Sequence, residues 1–124
     1  FANWPIVTEE LSRFKTTKEQ NEVLARVESG HIDLIVNSTS VGLQRTDPSP
    51  LPSGCLQPHH LVYDTIYSPA QTKLLGEALQ IGARVANGLS LLLYQGVLAF
   101  ELWFPGQRPL ETMRSSLRKA VSAP

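Results

Sequence analysis

The stretch LVYDTIYSPAQTKLLGEALQIGARVAN, residues 61–87, predicts a strand, a helix and a second strand in direct succession. Its first seven residues are an apolar run with β-branched and aromatic side chains, which is typical of a buried strand. Ser68 as N-cap, Pro69 at the first helical position and Gln71 three residues after the cap predict that the helix begins here. The helix is expected to end at Gly82, before the strand ARVAN. Its apolar face consists of Leu74, Leu75, Ala78 and Leu79.

The same alternation of elements is found upstream. TTKEQNEVLARVESG, residues 16–30, predicts a helix with one apolar face and Gly30 as its stop. HIDLIVN, residues 31–37, predicts a strand covered on both faces, and Thr8 predicts the cap of a further short helix over EELSRF. Alternating helices and strands indicate an α/β fold, with a parallel sheet, flanking helices and right-handed crossovers.

Residues 89–104 are the most apolar segment and predict a long buried helix. The segment is shorter than the roughly 20 apolar residues of a membrane-spanning helix, and it contains Gln95 and Glu101. A buried amide without partners costs about 1–3 kcal/mol, so Gln95 is expected either to bond to neighbouring backbone or to meet a polar ligand. A last helix is predicted to begin near Pro109.

Composition excludes several classes of partner. The 124 residues carry eleven basic and eleven acidic side chains, so no net charge attracts nucleic acid or an anionic membrane. Cys55 is the single cysteine, which excludes an intrachain disulfide and favours a reducing, cytoplasmic compartment. The partner is therefore expected to be small or neutral.

Residues 44–60 contain four prolines and predict a long surface loop. Such loops are more often functional than idle. Cys55, His59 and His60 suggest a metal site only weakly, because they lack the paired spacing of a zinc site. We therefore expect the two histidines to be solvated loop residues.

The polar ends of the three predicted strands are the place to look for a site. In open parallel sheets, ligands bind beyond the carboxyl ends of the strands. The segments NSTSVG, DTIYSP and ANG are expected to line one crevice there. For the first segment, an equally good interpretation is a polar loop whose side chains hydrogen-bond to the backbone of their own turn and bind no ligand. Asp64 is expected to be satisfied structurally, and Tyr67 is either a site hydroxyl or a half-buried structural tyrosine.

Familiar catalytic and phosphate-binding motifs are missing from the sequence. It contains no G-x-S-x-G elbow, no G-x-G-x-x-G and no G-x-x-x-x-G-K-[ST]. The backbone amides near Gly88 and Ser90, at the start of the apolar helix, favour a polar or anionic group instead.

Three segments in order resemble the C-terminal half of shikimate dehydrogenase. They are DLIVNSTSVGL, VYDTIYSPAQTKLL and NGLSLLLYQGVLAFELW. They are similar to the family patterns N-A-T-S/P-x-G-M, D-x-x-Y-x-P-x-x-T-x-L-L and N/D-G-x-x-M-L-x-x-Q, and the resemblance covers about residues 32 to 121. It implies a partial Rossmann-like parallel sheet, followed by C-terminal helices that pack toward a missing substrate domain. Residues 1–88 then belong to the NADP-binding domain, and residues 89–124 bridge to the substrate domain.

The resemblance also implies roles for individual residues. Tyr67 and Gln95 match positions that contact the hydroxyls or carboxylate of shikimate. The cofactor side of the site is implied for Thr65 and Gly88, beside the nicotinamide of NADP, and for Thr39 and Ser40, in the bordering loop. Leu91 stands where methionine is common and Ser38 where alanine is common.

The family reduces 3-dehydroshikimate to shikimate with NADPH, and the resemblance leaves part of that machinery outside this sequence. The catalytic lysine and aspartate, the serine pair that holds the carboxylate and the glycine-rich loop have no counterpart here. The chain is thus expected to be a fragment, inactive alone, that forms oligomers or associates with the missing N-terminal part. Quinate as substrate and a non-catalytic binding module that keeps half of the fold are the alternatives.

Overall fold

The computed structural model describes residues 17–30 and 32–122, and the elements in these ranges alternate as the sequence predicts. The helices are α1 (Thr17–Glu28), α2 (Lys73–Gln80), α3 (Leu89–Trp103) and α4 (Leu110–Ser122), and the strands are β1 (Leu34–Asn37), β2 (Leu61–Asp64) and β3 (Arg84–Ala86). The short helix predicted after Thr8 lies outside the described residues. Within them, no helix is long and apolar enough to cross a membrane.

The three strands form one parallel sheet in the order β1-β2-β3, as the α/β prediction requires. Asn37 pairs with Asp64 at the carboxyl ends of β1 and β2, and Tyr63 pairs with Ala86 across to β3. Parallel pairing brings the carboxyl ends of all three strands to one edge of the sheet. We call this edge, with the segments 37–42, 64–67 and 87–90 that follow the strands, the crest.

The core lies between the central strand and α2. Its buried members are Leu51, Val62, Leu74, Leu75, Ala78 and Ala83. Leu79 was expected on the same face of α2, but 48% of it is exposed. Leu51 takes part instead, since the proline-rich loop folds back over the core. The loop therefore contributes to the hydrophobic core as well as connecting β1 to β2 at the surface.

Strand β1 is less covered than predicted. Leu34 and Val36 alternate with Ile35 and are 53% and 49% exposed. β1 is an edge strand of the described sheet, and its neighbour on one side is β2. Side chains alternate between the two faces of a strand, so one face of β1 is covered and the other is open.

Helix α2 begins later than the predicted cap at Ser68. Thr72 is the N-cap, and its hydroxyl accepts a hydrogen bond from the backbone N–H of Leu75 at 3.4 Å. The same hydroxyl donates to the buried carboxylate of Asp64 at 2.7 Å. This tertiary hydrogen bond favours Thr72 over Ser68, although Ser68 and Pro69 satisfy the local sequence pattern.

The expectation that both loop histidines are solvated is wrong for His60. His59 is exposed, whereas His60 and Cys55 are buried, at 0% and 1% exposure. The Nδ1 atom of His60 accepts a hydrogen bond from the backbone N–H of Gln57 at 2.9 Å. No group of three or more metal-binding side chains occurs among the described residues. His60 is thus a packing residue that closes the end of the loop.

Acid is expected to destabilise the chain through His60. Burial, and after it the neighbouring His59, lowers the pKa of His60, while the Val27 carbonyl and Asp33 act in the opposite direction. The unfolded chain therefore binds the proton more readily, and stability is lost as the pH falls below about 6.5 toward the lower pKa of the folded state. Thermal unfolding measured across this pH range should show that the parent loses stability more steeply with falling pH than His60→Asn does.

The control for this measurement is the exposed neighbour. His59→Gln should keep most of the acid loss, because burial is the larger cause of the shift at His60. Equal pH dependence of the parent and His60→Asn would contradict the interpretation.

Candidate functional site

The loop that follows β1 is folded by the side-chain amide of Asn37. Its Oδ1 atom accepts hydrogen bonds from the backbone N–H and the hydroxyl of Thr39, at 3.1 and 2.8 Å. Its Nδ2 atom donates to the Val41 carbonyl at 3.0 Å. The Thr39 hydroxyl in turn accepts from the N–H of Val41 at 3.1 Å. Thr39 therefore helps to build its own turn, while Ser40 is exposed at the crest.

A second turn continues this loop. Gly42 has a positive φ of 115°, and the backbone N–H groups of Gly42 and Gln44 both donate to one carboxylate oxygen of Asp47 at 2.9 Å. The hydrogen bond from Gln44, followed by that from Gly42, holds the pKa of Asp47 below its usual value. The loop beyond β1 is thus fixed by its own side chains at both of its turns.

Asp64 lies at the centre of the crest and is fully buried. Its Oδ1 atom accepts from the Ile66 backbone N–H at 3.0 Å and from Asn37 Nδ2 at 3.2 Å. Its Oδ2 atom accepts from the hydroxyl of Thr72. A buried carboxylate is tolerated only when such donors surround it. These contacts agree with the expectation that Asp64 is satisfied structurally.

Thr65 and Gly88 are brought into direct contact, although 22 residues separate them in the sequence. The backbone N–H of Gly88 donates to the Ile66 carbonyl at 3.0 Å. A Cβ atom on Gly88 would overlap the carbonyl oxygen of Thr65 and lie 2.5 Å from its carbonyl carbon. The Thr65 hydroxyl donates to the Asn37 carbonyl at 3.0 Å. The backbone after β2 and the start of α3 therefore pack directly against each other at the crest, where Gly88 is buried and Thr65 is partly buried.

Asn87 is a structural residue of the crest that the sequence patterns did not single out. Its side chain accepts from the N–H of Leu89 at 3.2 Å and donates to the Ala70 carbonyl at 2.9 Å. It thereby ties the start of α3 to the segment before α2. The signal for it was the Asn-Gly pair, because asparagine side chains commonly bond to backbone two residues further on.

Tyr67 and Gln95 are both accessible to solvent. Tyr67 is 41% exposed and follows β2 by three residues. Gln95 is exposed, so the expectation that its helix buries it is wrong. It lies seven residues after Gly88, which corresponds to about 10 Å along α3.

The exposure of Gln95 follows from the way α3 packs. Leu93 and Val97 are the buried residues of this helix, and α4 packs against it. The opposite side forms an exposed surface, which we call the α3 stripe. It comprises Leu91, Tyr94, Gln95, Leu98 and Leu102. Residues three, four and seven apart lie on one helix face, so Gln95 is an amide in the middle of an apolar surface.

Two grooves lie beside the crest. One of about 740 Å³ runs between residues 42–47 and the start of α2, and one of about 330 Å³ runs between residues 86–90 and α2. None of the six predicted site residues lines either groove. The structure brings Thr39, Thr65 and Gly88 together at the crest, since Thr39 and Thr65 both bond to Asn37 and Gly88 lies against Thr65.

Comparison with known proteins places these features in a family context. Residues 88–118 match the family described as the Shikimate 5'-dehydrogenase C-terminal domain. The chain is 44% identical over 92 residues to a shikimate dehydrogenase (NADP(+)) of Moorella thermoacetica. The aligned residues make up 73% of this chain and 31% of the relative. The chain therefore spans about a third of the length of the curated relatives it matches.

Solved structures show the same similarity in three dimensions. A shikimate dehydrogenase in complex with NADP+ matches with a TM-score of 0.71 and 30% identity, over 77% of this chain and 34% of that protein. The Thermus thermophilus enzyme in complex with NADP(H) and shikimate matches with a TM-score of 0.66 and 30% identity, over 86% of this chain and 44% of that protein. A Corynebacterium glutamicum quinate dehydrogenase in complex with NAD matches with a TM-score of 0.67 and 29% identity, over 77% of this chain and 35% of that protein.

The resemblance to the C-terminal region of shikimate dehydrogenases and the Rossmann-like α/β fold are thereby confirmed.

The contact between Gly88 and Thr65 yields a test that uses two glycines of the same region. Gly88→Ala is expected to destabilise the chain by about 1–3 kcal/mol or more, because its Cβ meets backbone that a rotamer change cannot move. Gly96→Ala is the control, since a Cβ there lies 3.9 Å from the Met113 sulfur, an ordinary contact. Inside α3, alanine should stabilise by about 0.5–1 kcal/mol.

Denaturant unfolding of the two variants measures the difference. If Gly88→Ala were as stable as the parent, the contact between Gly88 and the Thr65 carbonyl would not require a glycine at position 88.

Proposed function

We propose that this chain, whose sequence and fold match the C-terminal region of shikimate dehydrogenases, forms the C-terminal part of an enzyme that reduces 3-dehydroshikimate to shikimate with NADPH. The supporting observation is the crest, where the polar loop after β1 and the close backbone contact between Thr65 and Gly88 lie at the carboxyl ends of a parallel sheet. This is where open α/β sheets bind their ligands.

The cofactor side of the proposed site consists of Thr39, Ser40, Thr65 and Gly88. NADPH, when bound, supplies the hydride. Gly88 is buried against the Thr65 carbonyl, so in our proposal it supports the site by fixing the backbone of Thr65, which is partly exposed. The loop carrying Thr39 and Ser40 borders this surface and is held in place by Asn37. These residues bind and orient the nicotinamide in our proposal.

The substrate side consists of Tyr67 and Gln95. Both side chains carry polar ends that are accessible to solvent. Shikimate offers hydroxyls and a carboxylate, which a phenol and an amide can bind by hydrogen bonds. Gln95 is flanked by the apolar residues of the α3 stripe, which would shield such hydrogen bonds from water once a second wall closes over them.

We assign that second wall to the substrate domain of the complete enzyme. In this proposal residues 1–88 belong to the cofactor domain and residues 89–124 connect it to the substrate domain. The acid and base residues come from that remaining part, so we assign no catalytic role to any lysine of this chain. The cytoplasmic location stays a prediction. The similarity to a quinate dehydrogenase makes quinate the alternative substrate.

Fusion of this chain to the N-terminal two thirds of the Moorella thermoacetica relative tests the proposal. The fusion is expected to reduce NADP+ in the presence of shikimate, and the chain alone is not. Quinate and NAD+ serve as the competing substrate and cofactor in the same absorbance assay. A folded fusion that binds NADPH but turns over neither acid would favour a non-catalytic binding module.

Replacement of Gln95 tests its proposed contact with the substrate. In the active fusion, Gln95→Ala should raise the KM for shikimate about tenfold, which corresponds to about 1.4 kcal/mol for a lost hydrogen bond. The KM for NADP+ should change less than about twofold, because Gln95 lies two turns of helix from Gly88. Gln80→Ala, an exposed glutamine of α2, is the control and should leave both values unchanged. An unaltered KM for shikimate in Gln95→Ala would rule out the contact.

The α3 stripe also predicts how the isolated chain behaves. An exposed apolar surface of this kind drives association, so light scattering should show the chain as an oligomer. The variant with Leu98→Lys and Leu102→Lys should shift toward monomer. Leu79→Lys is the control, since Leu79 is similarly exposed but lies on α2. A parent chain that is monomeric, with a sharp thermal transition, would contradict the prediction.

A further inference from the structure

One buried carboxylate connects the first two segments of the crest with the start of α2. Asp64 accepts hydrogen bonds from Asn37 at the end of β1, from the backbone of Ile66 just after β2, and from the hydroxyl of Thr72 at the start of α2. Asp64, Asn37 and Thr72 are 0%, 5% and 4% exposed. Solvent therefore cannot replace any of these hydrogen bonds without opening the crest.

Two of the connections lead directly to the proposed cofactor surface. On one side, the amide of Asn37 contacts Asp64 and also holds the N–H and hydroxyl of Thr39. On the other side, Ile66 donates to Asp64 through its N–H and accepts from the N–H of Gly88 through its carbonyl. The carboxylate is thus two contacts away from Thr39 and two contacts away from Gly88.

All three partners donate to the carboxylate, a pattern that suits a group that only accepts. Ile66 offers a backbone N–H, Asn37 an amide NH2 and Thr72 a hydroxyl proton. The Thr72 oxygen already accepts from the N–H of Leu75, and the Asn37 oxygen already accepts from Thr39. An amide in place of the carboxylate would direct an NH2 group at one of these donors. Opposite Ile66 or Asn37 that contact would separate, and opposite Thr72 the hydroxyl would have to turn its proton away from residue 64.

We propose that Asp64 is a positioning residue that sets the spacing between the Thr39 loop and the backbone contact of Thr65 with Gly88, and thereby determines affinity for the nicotinamide cofactor. This inference rests on the proposed function. Asp64 has no contact with solvent and no role in proton transfer. It acts through Asn37 and Ile66 on the residues that touch the cofactor.

Asp64→Asn in the fusion enzyme is the direct test. It preserves side-chain shape and removes one acceptor. The dissociation constant for NADPH, measured by fluorescence titration, and the KM for NADP+ should both rise about tenfold, while the KM for shikimate should change less than about twofold. If Asp64 had a merely structural role, the variant would be less stable to heat, but the KM for NADP+ would not rise more than the KM for shikimate.

Val62→Ala provides the matched control for stability. Val62 is fully buried in the same strand, two residues before Asp64, and belongs to the core cluster. Its truncation should lower the unfolding temperature and leave cofactor affinity unchanged. If Asp64→Asn left cofactor affinity unchanged, or if Val62→Ala weakened it equally, the positioning role would be overturned.

Thr72 gives a second test that applies even when Asp64→Asn does not fold. Thr72→Val removes the hydroxyl at nearly constant shape and should weaken NADPH binding, whereas Thr72→Ser retains the hydroxyl and should restore parental affinity. Equal affinity of the valine and serine variants would contradict the proposal.

The titration also separates the two proposals. A parent fusion that binds NADPH without turnover refutes the proposed reaction and leaves the Asp64 comparison valid. A parent that does not bind NADPH refutes both.

Discussion

The carboxylate of Asp64 is surrounded by donors that approach from three different parts of the chain. A buried charge of this kind is costly unless each oxygen is hydrogen-bonded, and removal of one partner leaves the full desolvation cost of the other. The end of β1, the backbone beyond β2 and the cap of α2 are therefore constrained together. Asp64 thus fixes the first two crest segments relative to each other and to the start of α2.

The second constraint is steric and acts where Asp64 does not reach. Gly88 lies against the Thr65 carbonyl so closely that no larger residue fits. The path of the chain from β3 into α3 is thus fixed relative to β2, and Asn87 holds the first turn of α3 from the other side. Hydrogen bonding and close approach together hold the three crest segments in fixed relative positions.

Much of this arrangement could be read from the sequence because its signals are local. The alternation of elements, the stops at Gly30 and Gly82 and the start of the last helix depend on residues near in sequence, and the described structure agrees with them. The start of α2 was misplaced because a tertiary hydrogen bond selects Thr72 over a cap that is locally as good. The burial of His60 was missed for a similar reason, since loop composition does not reveal that the loop folds over the core.

Gln95 illustrates how far periodicity alone can be used. The sequence shows that apolar residues surround it, and from this we inferred burial within the chain. Leu91, Leu98 and Leu102 share its face and are exposed, so the pattern describes an exposed apolar surface with one amide in it. In our proposal that amide binds the substrate, and the apolar residues around it face the substrate domain. Periodicity within one helix cannot distinguish an amide buried in the core from one on an exposed apolar surface, because the difference depends on what packs against each face of the helix.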